Sequence, residues 1–259
     1  MAAPESPLKR ALGNFSVLMG GRAVAGVVSV VVVALVARIL GPTEFGVLVL
    51  VHTTATVVRG LLNFKPSDTV VRYGVALFDA ADRGGFTRLL RLTLALDAIT
   101  AVAAALAMLV LVMLAGPWLG LPDALRGPAA LYAVALLASG TGTAKGILRV
   151  AGRFDAISIQ QTVAPLLRLA GIGIAYLSDA GLAGYVLVWV AASLAEYAYL
   201  NIRGWRELRV HGYLGLRPSL VAAADFPGVW PFVRTVYWQS NLELAQRHGL
   251  ILLAGALLG

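Results

Sequence analysis

The chain has 259 residues, 59% hydrophobic and only 13% charged, with a formal net charge of +8 and a mean hydropathy of +0.82. A soluble globular domain carries about 25% charged residues, so that class is excluded. The absence of cysteine excludes disulfides, thiolate catalysis and Cys-ligated metals, and the basic excess fits the cytoplasmic side of a membrane protein better than nucleic-acid binding.

The chain opens MAAPESPLKRALGNF, with Lys9 and Arg10 just ahead of an apolar run. The hydrophobic core of a signal peptide spans about 7–15 residues. This run extends over 15–39 without a small-x-small cleavage pattern at its end, so it reads as a retained first span. A spanning helix needs about 20 mostly apolar residues, and seven segments qualify: 15–39, 45–64, 92–115, 129–150, 157–177, 182–202 and 231–258. No strand pattern competes with them, so the expected fold class is an all-α polytopic membrane protein. The seventh segment is the weakest, because its middle reads QSNLELAQRHG.

Gly41-Pro42 separates the first two spans as a tight outer turn. Glycine suits the position just past a helix end, and proline cannot continue that helix. Glu44 then faces the positive end of the next helix dipole. Between the second and third spans, Val70, Tyr73, Gly74, Leu77, Phe78 and Ala81 recur at helical spacing, opposite Arg72, Asp79, Asp82 and Arg83. That pattern predicts either a short helix over 70–81 in the cytoplasmic interface or the start of the third span. The stretch SGTGTAKG at 139–146 lacks the spacing of a phosphate loop and follows no strand. Small residues that let helices approach closely are the expected reading.

With the N-terminus placed in the cytoplasm, fourteen of the 21 basic residues fall on the cytoplasmic side and only Arg38 and Arg126 on the other. That bias sets the orientation. Trp118, Tyr132, Tyr176 and Tyr185 are expected at the outer edge, and Tyr197, Tyr199, Trp205 and Trp230 at the inner edge.

Once the charges assigned to the two sides are counted, five basic residues remain, Arg22, Arg59, Arg168, Arg234 and Arg247, and Asp97, Glu196 and Glu243 also fall within predicted helices. An arginine at the bilayer centre costs about 2.5–3.5 kcal/mol even on the lenient insertion scale. In the second span His52, Thr56, Arg59 and Asn63 share one face. Arg22, Gly26 and Ser29 form a narrower stripe in the first, and Gln161, Pro165 and Arg168 share a face in the fifth. We expect Arg22, Arg59, Arg168 and Arg247 to line a cationic cavity open to the cytoplasm, with His52 and Asn63 on the same stripe. Phosphate is the natural occupant, because arginine donates to it bidentately. Snorkelling to the inner interface is the alternative for Arg59 and Arg234, and a structural ion pair or an interfacial role is expected for Asp97 and Glu196. His52, His211 and His248 stand on different elements and make no metal site; His52 is a candidate for proton coupling. No hydrolase, kinase or transferase constellation is present, so neither an enzyme nor a cofactor is expected.

The stretch NFSVLMGGRAVAGVVSVVVVALVARILGPTEFGVLVL, with Gly21-Arg22, Ala37-Arg38, Leu40-Gly41-Pro42 and Phe45-Gly46, resembles the start of bacterial polysaccharide flippases. This is the O-antigen and exopolysaccharide family of the multidrug/oligosaccharidyl-lipid/polysaccharide exporter superfamily. ILRVAGRFDAISIQQTVAPLLRLAGI (147–172) is similar to that family's passage from the fourth to the fifth helix. The resemblance implies two six-helix lobes around a central cavity. The chain would then divide into a six-helix lobe (1–202), a cytoplasmic linker (203–230) and the first helix of a second lobe (231–259). LLAGALLG (252–259) aligns with VALVARILG (33–41), so truncation after that helix is expected. His248 stands roughly where the family often has an acidic residue.

The implied function is movement of undecaprenyl-diphosphate-linked oligosaccharide from the cytoplasmic to the outer leaflet of the bacterial inner membrane. Arg22, Arg59 and Arg168 would contact the diphosphate or acidic sugars, and a glycan polymerase and glycosyltransferases are candidate partners. The alternatives are a drug or metabolite extruder of the same superfamily and a non-transporting scaffold in glycan assembly. A membrane glycosyltransferase is disfavoured, because the outer loops (40–44, 116–128, 178–181) are too short for an exposed acidic or metal-binding loop.

Overall fold

The computed structural model describes residues 7–116 and 121–258; the side chains of 1–12, 14, 15, 17, 115, 117–120, 244 and 247–259 lie outside that description. Among the described residues there are eight α-helices and no strand: α1 (Pro7–Leu61), α2 (Pro66–Asp79), α3 (Arg83–Val110), α4 (Asp123–Leu137), α5 (Gly142–Val150), α6 (Phe154–Leu177), α7 (Gly181–Val210) and α8 (Val229–Leu258). A π-helical turn, Leu111–Ala115, prolongs α3, and a 3-10 turn, Val221–Asp225, lies in the segment before α8. The chain is an all-α polytopic membrane protein.

By length and composition four helical stretches can cross a membrane: Leu18–Leu61, Arg83–Leu114, Phe154–Leu177 and Gly181–Val210. A fifth is the pair α4 and α5, bent by about 40° at the break between them. The count differs from the seven expected for physical reasons. At about 1.5 Å per residue, a continuous helix over the 44 residues of Leu18–Leu61 would measure about 66 Å, roughly twice the hydrocarbon thickness. That stretch therefore holds two spans, broken at Gly41 (φ 71, ψ 175), a backbone region essentially reserved for glycine. Pro42 opens the second arm, where the N–H it lacks has no helical partner to lose. The fourth span is two helices rather than one. α8, the expected seventh span, is helical, and its described middle carries Gln239, Asn241, Glu243 and Gln246.

Both arms of α1 contribute to one apolar core. Val32 and Val36 from the first and Leu48, Val51, Ala55 and Val58 from the second pack with residues of α3, α4, α6 and α7. A second core lies toward the end of the molecule where α2, the start of α3 and the start of α8 meet. Phe86, Leu89, Leu90, Ile147, Leu208 and Phe226 are buried there. α2 is a helix in its own right, starting earlier than expected. Val70 and Gly74 are buried, and Tyr73, Leu77 and Phe78 pack on the second core. Asp82 separates it from α3 as an N-cap, accepting from the Gly85 N–H at 2.9 Å.

The 139–146 stretch is a packing device, as its small residues foretold. A Cβ at Gly146 would stand 2.5 Å from that of Val70 on α2, one at Gly142 would stand 2.9 Å from the Pro66 ring, and Ala144 lies against Gly204 of α7. The expected linker begins later than 203, because α7 continues to Val210. The segment after it folds back on α3: Ser219 N–H donates to the Arg91 carbonyl (2.9 Å), Arg91 Nε to the Arg217 carbonyl (3.1 Å), and Arg88 pairs with Asp225 (3.1 Å).

Gly41→Ala places a Cβ where the backbone admits almost none, at a cost of about 1–3 kcal/mol. A lower thermal midpoint of the detergent-solubilised variant is the expected result, with Pro42→Ala changing it much less.

Candidate functional site

The break between α4 and α5 organises the polar interior. Around Ser139 and Gly140 the chain leaves helix and turns through a Thr141 N–H to Ser139 carbonyl bond of 2.8 Å. Inside a bilayer, backbone groups freed this way need protein partners. Two side chains from neighbouring helices provide them. Asn201 Nδ2 on α7 donates to the Ala138 carbonyl at 3.0 Å. Asp97 on α3, only 6% exposed, accepts from the Gly142 N–H at 2.8 Å and the Thr143 N–H at 2.6 Å. Asp97 is thus the N-terminal cap of α5, a charge placed on the positive end of a helix dipole. It is neither the ion-pair partner nor the interfacial residue that its position in the sequence suggested.

The cap aims α5 across a cavity of about 210 Å³ bounded by α1, α2, α3, α5, α6 and α7. Lys145 and Arg149, one turn apart on α5, line it with Arg59 from the second arm of α1 and Lys65 from the turn before α2. Three carboxylates also line it, Asp68, Asp97 and Glu196. Two of these are committed, Asp97 to the α5 cap and Asp68 to Arg149 at 3.0 Å; Arg149 also donates to Ser67 Oγ at 3.2 Å. Glu196 accepts a hydrogen bond from Gln160 of α6. The Arg59 guanidinium stands over the Tyr197 ring at 4.6 Å, and its Nε is buried without a hydrogen-bond partner. A desolvated cation–π contact contributes about 2 kcal/mol, which offsets most of the insertion cost of the charge. Arg59 therefore points into the protein, onto Tyr197 and the cavity.

Farther along the same arm the stripe enters a second polar group. His52 Nδ1 lies 3.1 Å from Tyr132 Oη, and Arg168 reaches His52 Nε2 at 3.4 Å and Ser193 Oγ at 3.5 Å, beneath the Trp189 ring at 5.3 Å. These are long contacts to neutral groups, weaker than good hydrogen bonds, and Arg168 Nε has no partner. His52 and Arg59 are seven residues apart, so the two basic levels are separated by about 10 Å along the helix.

The expected site residues divide as follows. Arg59 and Asn63 line the cavity, with Asn63 Oδ1 accepting from the Lys65 N–H at 2.8 Å. His52 and Arg168 form the adjoining group, and Thr56, on the expected stripe, is exposed with its hydroxyl bonded back to the His52 carbonyl at 2.9 Å. Arg22 is exposed on the first arm and is not among the residues lining the cavity. The Arg247 side chain lies outside the described residues, as does that of His248. Gln160, not Gln161, is the α6 glutamine on the cavity wall.

Tyr132 and Tyr185 are buried in the core, Tyr197 faces the cavity, and Trp118 lies outside the described residues. Sequence reasoning missed Lys145 and Arg149, which it counted among the cytoplasmic-side charges at the end of the fourth span. Their spacing of four on a helix beginning at Gly142 was the available signal. Among the described residues no cluster of His, Asp or Glu could hold a metal ion.

No protein-family model matches the chain, and no solved structure matches it. Over 204 residues it is 29% identical to the inner membrane protein YghQ of Escherichia coli strain K12, a match covering 78% of this chain and 56% of that relative. The chain thus spans little more than half the length of the curated relative it matches. The likeness and the apolar helices together place it among multi-pass inner-membrane proteins.

Asp97→Ala strands two buried N–H groups at the break, so a loss of about 2 kcal/mol or more is expected. Asp97→Asn keeps one acceptor and should lose about half as much. Thermal unfolding of the two variants in detergent checks the ratio.

Proposed function

We propose that the chain belongs to a transporter that moves an anionic, lipid-linked oligosaccharide from the cytoplasmic to the outer leaflet, as polysaccharide flippases do. The observation that carries this reading is the cavity inside the membrane-spanning bundle, where Arg59, Lys65, Lys145 and Arg149 converge while two of the three acids are held by the protein itself.

The mechanism follows from the charges. A diphosphate cannot enter hydrocarbon unaided, whereas its lipid tail can stay there. Arg149 and Lys65, beside α2 at the cavity's basic end, meet the headgroup first. Arg59 offers its unpartnered Nε next. Arg168, about two turns farther along α6 than the cavity-lining Gln160, offers a second unpartnered Nε among neutral neighbours. Each station holds the anion through charge-assisted hydrogen bonds; Arg149 exchanges its contact with Asp68 for the headgroup, while Arg59 and Arg168 each bring an Nε that has no hydrogen-bond partner. Alternation of two lobes about this path is proposed for the whole protein, with undecaprenyl diphosphate as the carrier. The basic majority in the cavity favours this substrate over the cationic compounds a drug extruder would take.

The test is glycan export in cells carrying the full-length protein, with surface glycan and inner-leaflet precursor measured together. Arg59→Gln and Lys145→Gln each remove a charged hydrogen bond worth about 1.5–3 kcal/mol, so export should fall about tenfold or more while precursor accumulates. Arg59→Lys should recover part of it, since the charge survives but the planar donor fork does not. Normal export at normal protein level in both neutral variants would refute the reading.

A further inference from the structure

We propose that the slot between α3, the segment before α8 and the first turns of α8 is a binding site for an anionic phospholipid of the inner leaflet. Nothing in this proposal depends on what the transporter carries. The slot encloses about 380 Å³ and is walled by Phe64, Leu96, Ile99, Leu220, Trp230 and Trp238, with Arg234 at its edge.

The way α8 is attached explains why the slot exists. α8 meets the body through Val229 and Val233 in the second core, Phe232 edge-on to Tyr73 (5.9 Å), and Tyr237 stacked on Phe64 (5.4 Å). On the side facing α3 it presents indole rings instead of packed aliphatics. Trp230 is 48% and Trp238 60% exposed, so their faces are open to an acyl chain, and tryptophan is the residue that settles at headgroup level.

The charge around the slot selects the headgroup. Arg234 is exposed and forms no ion pair among the described residues. Arg91 and Arg217 are joined beside Leu220 through the 3.1 Å bond from Arg91 Nε to the Arg217 carbonyl. The neighbouring acid, Asp225, is already taken by Arg88 at 3.1 Å. An acyl chain in the slot leaves its phosphate against this basic rim. A zwitterionic lipid would set its own cation against the same arginines. A second lobe covering the apolar walls is the competing occupant, and the absence of a slot signal in the test below reports it.

The test uses the full chain in zwitterionic vesicles containing equal mole fractions of either brominated phosphatidylglycerol or brominated phosphatidylcholine. Quenching of tryptophan fluorescence is compared with that of the Trp230→Phe/Trp238→Phe variant, and the difference reports the slot. Each basic residue near an anionic surface contributes about 1 kcal/mol, so the glycerol lipid should quench the slot signal about fivefold more effectively. That preference should vanish in Arg234→Gln, whose exposed side chain supports no packing and whose helicity is checked by circular dichroism. Equal quenching by the two lipids would reduce the slot to ordinary boundary lipid and overturn the proposal. So would a preference that survives Arg234→Gln, or the absence of any slot signal because protein fills the space.

Discussion

The carboxylate of Asp97 on the first two N–H groups of α5 is the contact on which the polar interior depends. A membrane span that breaks in its middle frees backbone donors and acceptors that the protein must satisfy. Here Asp97 takes the donors and Asn201 the open carbonyl. Because the break is satisfied, α5 can leave the axis of α4 by about 40° and turn Lys145 and Arg149 toward the cavity. The small residues at 142, 144 and 146 then let α2 and α7 close on α5 at backbone distance. Break, cap, close packing and basic cavity are therefore one construction.

The remaining charges follow a common rule: each buried base is stabilised by something weaker than a dedicated acid. Arg59 rests on an aromatic face, and Arg168 leans on a histidine, a serine and an indole. Arg149 has Asp68, but that pair sits at the partly exposed edge, where an exposed ion pair contributes at most about 1 kcal/mol. A diphosphate, the cargo we propose, would offer each of them a stronger partner than it has. A cavity built for stability alone would pair or remove these charges, since buried ions are expensive to keep.

The membrane architecture was legible in the sequence because span length and hydropathy are set by bilayer thickness, a constraint that acts on each segment separately. Gly41-Pro42 was legible for a similar reason: a helix stop and a helix start stood side by side. The stripe of His52, Arg59 and Asn63 could be read because spacing along one helix fixes a face. What could not be read is which face meets which neighbour. Lys145 and Arg149 looked like cytoplasmic-side charges at the end of a span, since nothing local announces that the span carrying them is broken and redirected. Asp97 looked interfacial, because its partners lie some 45 residues away on another helix. Arg22 looked equivalent to Arg59, yet the bundle closes over only one of them.

The most direct measurement uses the fact that the chain has no cysteine. A single Asn63→Cys reports the cavity's charge through its rates of reaction with thiosulfonate reagents of equal size and opposite sign, applied to inside-out vesicles with and without pyrophosphate. If the cavity is a cytoplasm-facing anion site, the anionic reagent reacts faster, and pyrophosphate slows it. A faster cationic reagent, or rates indifferent to pyrophosphate, would contradict the account.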